Sequence, residues 1–237
     1  MTRLYVLVEG QTEEEFVKAT LKPHLAGRAI WVYPVIVETS RDARGRKRRG
    51  GGRWQHWHKD LRRLTSQQTG SDVRFTTMFD LYGLPDDFPG LPEHGTDADT
   101  VRRAEQLEAA MAEAVGDWRL IPYLQRHEFE ALVLAGLDVL AGLLEDQEDV
   151  AGLTALRTAM AGMLPEEVND GRLTAPSKRL ESHIPGYRKT LHGPLVAGGA
   201  GLDALRSTCR RFDAWVSKLE ALANPSQEST PPPFWGR

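Results

Sequence analysis

At 237 residues the chain is long enough for one or two domains with a sizeable core, which excludes a peptide hormone or a disulfide miniprotein. Apolar residues at 41% and charged residues at 27% are the proportions of a folded protein, and the single Cys209 excludes an internal disulfide or a multi-cysteine zinc site. The net charge of -3 is unevenly spread: residues 41–63 hold ten Lys or Arg against Asp42 and Asp60, a local +8 that leaves -11 elsewhere and points to a polyanionic partner.

In chain order, residues 4–8 are an apolar run of β-formers. After Gly10, the sequence Thr12 to Glu15 reads as a capping box, so a strand, a tight turn and a helix over 13–25 are expected. Phe16, Ala19 and Thr20 form its predicted inward stripe, and Pro23 hastens its end. Residues 30–37 are a nearly unbroken apolar run, the pattern of a strand covered on both faces. A basic, Gly-rich loop over 40–53 follows, then a helix over 54–64. A third strand is expected over 73–79, ending on Asp80, then a helix over 99–115, a fourth strand over 119–124 and a helix over 128–134.

Strand and helix thus alternate through the first half, which favours an α/β fold with a mostly parallel sheet flanked by helices. Beyond Gly136 only helical windows remain, at 137–144, 150–163, 177–183 and 202–222. The expected organisation is an α/β core over 1–136, an α-helical C-terminal extension over 137–223 and a flexible tail over 224–237. The N-terminus lacks the pattern of a secretory signal. The most apolar stretch, 131–144, is broken by Asp138 and falls short of the ~20 residues a span needs, so no membrane contact and a cytoplasmic location are expected.

Three predicted strands end on acids: Glu9 after the first, Asp80 after the third, and His127-Glu128-Phe129-Glu130 after the fourth. In open parallel sheets the working site lies beyond these strand ends. Clustered carboxylates repel one another unless a cation sits among them, and their hard oxygens select Mg2+ or Mn2+. An acid after a strand also serves as a turn cap, so the metal reading rests on three recurring together.

Four stretches in order, VEGQTEEEF at 8–16, MFDLYGLP at 78–85, LQRHEFEALVLA at 124–135 and HGPLVAGGAGLDALRSTCRRFDAWVSKLE at 192–220, resemble the bacterial family known as domain of unknown function 4276, regarded as TOPRIM-like. The resemblance covers most of residues 4–222. It implies a TOPRIM-like core with an active centre of Glu9 and Asp80. Where TOPRIM domains usually carry Asp-x-Asp, this chain has Asp80-x-Tyr82 and lacks one ligand. Glu128 and Glu130 are the nearest substitutes. Two residues apart on a helix they diverge by about 200°, and Glu128, closer to the strand end, is the expected ligand.

These parts suit a Mg2+-dependent (or Mn2+-dependent) nuclease with metal held by Glu9, Asp80 and Glu128 or Glu130. Glu13 is a candidate proton acceptor, although a helix N-terminus favours glutamate for dipole reasons alone. His127 is a candidate to orient or protonate a leaving oxygen, with a structural hydrogen bond as the alternative. Arg44, Arg46, Lys47, Arg48, Arg49 and Arg53 are candidate phosphate contacts, as are Lys178 and Arg179, which alternatively pair with surface acids. Trp54 and Trp57 read as base-stacking faces or, more simply, as the buried stripe of a helix. His56-x-His58 has no third ligand nearby. The resemblance further implies an ABC/SMC-like ATPase partner and a role in defence against phage or plasmids. The sequence holds no Gly-x-x-x-x-Gly-Lys-Ser/Thr loop, so ATP-driven work belongs to another chain. The alternatives are an inactive nucleic-acid-binding or regulatory subunit and an RNA-cutting toxin, with DNA favoured over RNA as partner.

Overall fold

A computed structural model describes residues 1–37, 40–41, 47–48, 52–168 and 174–223. β1 (Thr2–Val8) leads through Glu9 and Gly10 into α1 (Gln11–Phe16), a π turn (Val17–Leu21) and α2 (Lys22–Ala26). The N-cap is Gly10, two residues before the expected Thr12, and the Glu13 carboxylate accepts the Gly10 N–H at 3.0 Å. The π turn also corrects the predicted stripe. Lys22 N–H reaches back to Val17 O, and this extra residue rotates the later face, so Val17, Leu21 and Leu25 are buried while Ala19 is exposed. Pro23 lies at the start of α2, where its missing N–H costs little beside the widened turn, and the helix runs past it to Ala26.

β2 (Ile30–Ile36) is an edge strand rather than one buried on both faces, with Trp31 and Tyr33 each more than two-fifths exposed. A short antiparallel pair, β3 (Ser40–Arg41) and β4 (Lys47–Arg48), precedes α3 (Trp54–Gln67). β5 (Val73–Asp80), α4 (Leu91–His94) and α5 (Thr100–Val115) follow, with Asp99 capping α5 through the N–H groups of Val101 and Arg102. The expected fourth strand is split into β6 (Leu120–Ile121) and β7 (Leu124–Gln125), because Pro122 interrupts the ladder; both pieces pair with β5. Then come α6 (Glu130–Ala135), α7 (Leu137–Ala141), α8 (Gln147–Ala159), α9 (Pro176–His183), α10 (Lys189–Thr208) and α11 (Arg210–Ala221).

The main sheet runs β2-β1-β5-β6, with β7 also beside β5, and every pair in it is parallel. Side chains alternate along β1. Leu4, Val6 and Val8 enter a core shared with α1, α2 and the helices from α6 onward, while Leu7 enters a second core with α3 and α5. The chain is thus a mostly parallel sheet flanked by helices with a helical C-terminal part, whose helices pack on one face of the sheet in a single core. Among the described residues no helix is long and apolar enough to cross a membrane.

Candidate active site

β1 and β5 are adjacent and in register up to Val8 against Met78, so Glu9, one residue past that pair, and Asp80, two residues past it, reach one rim. Glu9 Oε1 accepts the backbone N–H of Asp80 at 2.7 Å, and Asp80 Oδ1 accepts the backbone N–H of Phe129 at 2.8 Å. One oxygen of each carboxylate, Glu9 Oε2 and Asp80 Oδ2, is left for other partners. Gly83 closes this side: a Cβ there would stand 3.1 Å from Glu9 Oε2. A cleft of about 270 Å³ opens over these groups, lined by Glu9, Gly10, Gln11, Thr12, Glu13, Asp80, Lys189 and Thr190.

Lys189, the first residue of α10, was not among the residues singled out from sequence. Its Nζ lies 3.0 Å from Glu130 Oε2 and 3.8 Å from Asp80 Oδ2. Glu130 is fully buried, and its Oε1 has no hydrogen-bond partner among the described residues. Glu128 is turned away, accepting the Ser177 N–H at 2.9 Å. The expected preference for Glu128 is therefore reversed. α6 begins at Glu130, one turn of backbone past the left-handed His127 (φ 66°), and past that bend Glu130 meets Lys189 beneath the cleft while Glu128 meets the start of α9.

Crowding and lost hydration act together on these acids. Desolvation pushes Glu9 up to about 7 against the pull of the Asp80 N–H, with neighbouring Glu13 adding to the rise. Asp80 is held well above the usual carboxylate range, chiefly by burial, with Lys189 opposing and Glu9, Glu13 and Glu130 reinforcing. Burial likewise raises Glu130 against Lys189. For Lys189 burial disfavours the charge, but Asp80 and Glu130 outweigh it and the ammonium is retained.

Among the described residues no three His, Cys, Asp or Glu side chains converge as a ready-made metal site, so the expected trio of Glu9, Asp80 and Glu128 is not assembled. Magnesium, however, keeps several waters and is commonly held by one or two carboxylates plus substrate phosphates. Glu9 and Asp80 supply that minimum through Oε2 and Oδ2. The donor set is hard oxygen only, and among the described residues Glu9, Glu13, Asp80 and Glu130 gather around one lysine, so the residues present fit a divalent cation.

The remaining candidates fall in several places. Glu13 is buried in the cleft wall. His127 has both ring nitrogens engaged, Nδ1 with Tyr82 Oη at 2.7 Å and Nε2 with Glu166 O at 3.1 Å. Burial, with Arg126 and Arg103 adding to it, pulls its pKa down to about 4, which removes it as a proton donor near neutral pH. Lys178 pairs with the surface acid Glu181 at 2.6 Å, whereas Arg179 donates to the backbone carbonyl of Thr174. Trp57 is fully buried and Trp54 nearly so, stacked on His58, so neither is open to a base. Arg53 is exposed at the N-cap of α3. Arg44, Arg46 and Arg49 lie outside the described residues, as does the tail over 224–237, and Lys47 and Arg48 are described only as the β4 backbone.

A family model described as "Domain of unknown function (DUF4276)" matches residues 8–220. No curated protein matches the chain. Two solved structures of the C-terminal region of the Xanthomonas campestris pv. campestris OLD protein are similar to it. The one phased with platinum has 18% identity and a TM-score of 0.44 over 93% of this chain and 95% of that one. The one phased with mercury has 17% identity and a TM-score of 0.42 over 94% and 98%.

Proposed function

The chain belongs to the family of domain of unknown function 4276, and from the site it carries we propose that it is a TOPRIM-like, Mg2+- or Mn2+-dependent nuclease that hydrolyses phosphodiester bonds, DNA before RNA. The observation that carries the reading is the Glu9–Asp80 pair, joined at 2.7 Å on the rim of two adjacent parallel strands and desolvated enough to raise both carboxylates. Structural caps on a surface turn do not need such an environment.

Glu9 Oε2 and Asp80 Oδ2 would hold the cation. When bound, it supplies a Lewis acid for a phosphodiester oxygen and lowers the pKa of a water. Lys189 holds Glu130 and Asp80 together and places a positive charge where a phosphate enters. Glu13 keeps Oε2 on the Gly10 N–H and has Oε1 to accept a proton from water in the cleft. The basic segment leaves β2 beside this rim, since Ile36 pairs with Val8 and Val37 N–H donates to Val8 O. It returns at Trp54, whose N–H donates to Asp87 in the loop after β5. The outgoing anchor therefore stands next to the acidic centre, which supports a role for Arg44, Arg46, Lys47, Arg48, Arg49 and Arg53 in delivering a polyanion to it. An ABC/SMC-like ATPase partner and a role in anti-phage or anti-plasmid defence complete the proposal.

The purified chain is expected to nick supercoiled plasmid with Mg2+ or Mn2+ and not with EDTA, and Glu9→Gln or Asp80→Asn should abolish nicking. Persistence in both variants would assign the activity to a contaminant. Parallel digestion of tRNA separates DNA from RNA cleavage. A second reading, an inactive binding subunit, draws on the neutral Tyr82 where a second acid is usual; nucleic-acid binding without metal-dependent cleavage would favour it.

A further inference from the structure

We propose that Tyr82 and His127 form a positioning pair that fixes the orientation of the Asp80 carboxylate, a proposal that rests on the nuclease reading above. The carbonyl of Glu166 can only accept, so the His127 nitrogen facing it, Nε2, carries the ring proton. The other nitrogen of the neutral ring, Nδ1, then accepts from the Tyr82 hydroxyl at 2.7 Å. Tyr82 and His127 are also joined through the backbone, Tyr82 N–H donating to His127 O at 3.0 Å, next to the bond from Leu81 N–H to Gln125 O.

The chain after β7 then folds back over the end of β5, where Phe129 N–H donates to Asp80 Oδ1. Asp80 stands two residues before Tyr82, and Phe129 two after His127. The side-chain pair therefore pins the loop that carries the Phe129 N–H against the turn that carries Asp80, and with Oδ1 so held, Oδ2 faces Lys189. His127 holds a left-handed φ of 66°, a conformation that a side chain of this size keeps only where its surroundings enforce it. Neither residue lines the cleft, so both act through Asp80 rather than on substrate. The pair also accounts for the tyrosine in place of a second acid: position 82 is spent on holding the first one.

The test uses the full chain, with Mn2+ as the probe. Its dissociation constant is read by electron paramagnetic resonance, the exchange rate of the Phe129 amide is measured in metal-free protein, and thermal unfolding is recorded alongside. Tyr82→Phe is expected to bind Mn2+ about tenfold more weakly or worse, as for other residues that orient a ligand, and to exchange the Phe129 amide faster at an unchanged Tm. His127→Asn, which tolerates a left-handed backbone, should shift both readings the same way. Wild-type values of both in Tyr82→Phe would overturn the proposal, and so would losses that merely follow a fall in Tm. If the wild-type chain binds no Mn2+, the nuclease reading fails, and the pair is then judged on the Phe129 amide alone: faster exchange in Tyr82→Phe upholds it and unchanged exchange overturns it.

Discussion

A lysine on the protein surface normally contributes little through its ion pairs, because water screens them and the long side chain loses entropy when held. Lys189 differs because one of its partners, Glu130, is fully buried, with Oε2 held by the ammonium and Oε1 without a hydrogen-bond partner among the described residues. Removing the ammonium would leave that carboxylate either charged in an apolar surround or forced to take up a proton. Lys189→Met is therefore expected to destabilise the fold by about 1–3 kcal/mol, the cost of stranding one buried polar group. The same change removes the ammonium that faces both Asp80 and Glu130, so nicking should fall about 100-fold or more. Urea unfolding and a plasmid time course separate the two effects, and a stability loss with an unchanged rate would make Lys189 purely structural. Sequence offered almost no signal for this residue. It stands between Arg188 and Thr190 in a segment with no strand before it, and only the packing of α10 brings it to the rim.

The packing of α10 turns on close approach between helices, and small residues permit it. A Cβ at Gly193 would stand 2.9 Å from Thr12 Cγ2, so α10 touches α1 at the very turn that carries Glu13. Gly193→Val should force the helices apart, costing about 1–3 kcal/mol by overpacking, or a fall in Tm of roughly 2–4 °C per kcal/mol. Because the shift moves Lys189 away from Asp80, nicking should drop more than the fraction unfolded accounts for; a loss matching the unfolded fraction would disconnect α10 from the chemistry. The same glycines explain why α10 was unreadable before residue 202. With Pro194 and Gly193, Gly198, Gly199 and Gly201 its propensity is poor, and it forms because it is packed, kinking where Gly201 takes φ 78°. β1 and β5 were legible because runs of apolar β-formers end in an acid, which is how Glu9 and Asp80 were found. The split of the fourth strand was visible only as Pro122, and the choice between Glu128 and Glu130 depended on the left-handed turn at His127, which a histidine does not advertise.

At the scale of the molecule the difficulty for a nuclease reading is charge. The chain is net negative, and its proposed centre gathers Glu9, Glu13, Asp80 and Glu130 around one lysine, so a nucleic acid approaching that rim meets repulsion unless a positive field lies beside it. The sheet order resolves this. β2 flanks β1 in parallel, so the chain leaving Ile36 starts at the same end as Glu9, and the +8 window of residues 41–63 begins within five residues of that point. Its return is fixed by the bond from Trp54 N–H to Asp87, in the loop that follows β5. Counterion release gives this arrangement a measurable signature, since each phosphate neutralised contributes about 0.9 to the slope of log affinity against log salt. Replacing Arg46, Arg48 and Arg49 together by Ala should weaken duplex binding and lower that slope by as much as about 2.7 if all three contact phosphate. Fluorescence anisotropy with a labelled duplex across a salt series gives both numbers, with Ca2+ in place of Mg2+ to limit cleavage. A triple variant with the wild-type slope would remove the basic segment from substrate binding, and the acidic rim would then require its positive field from a second chain.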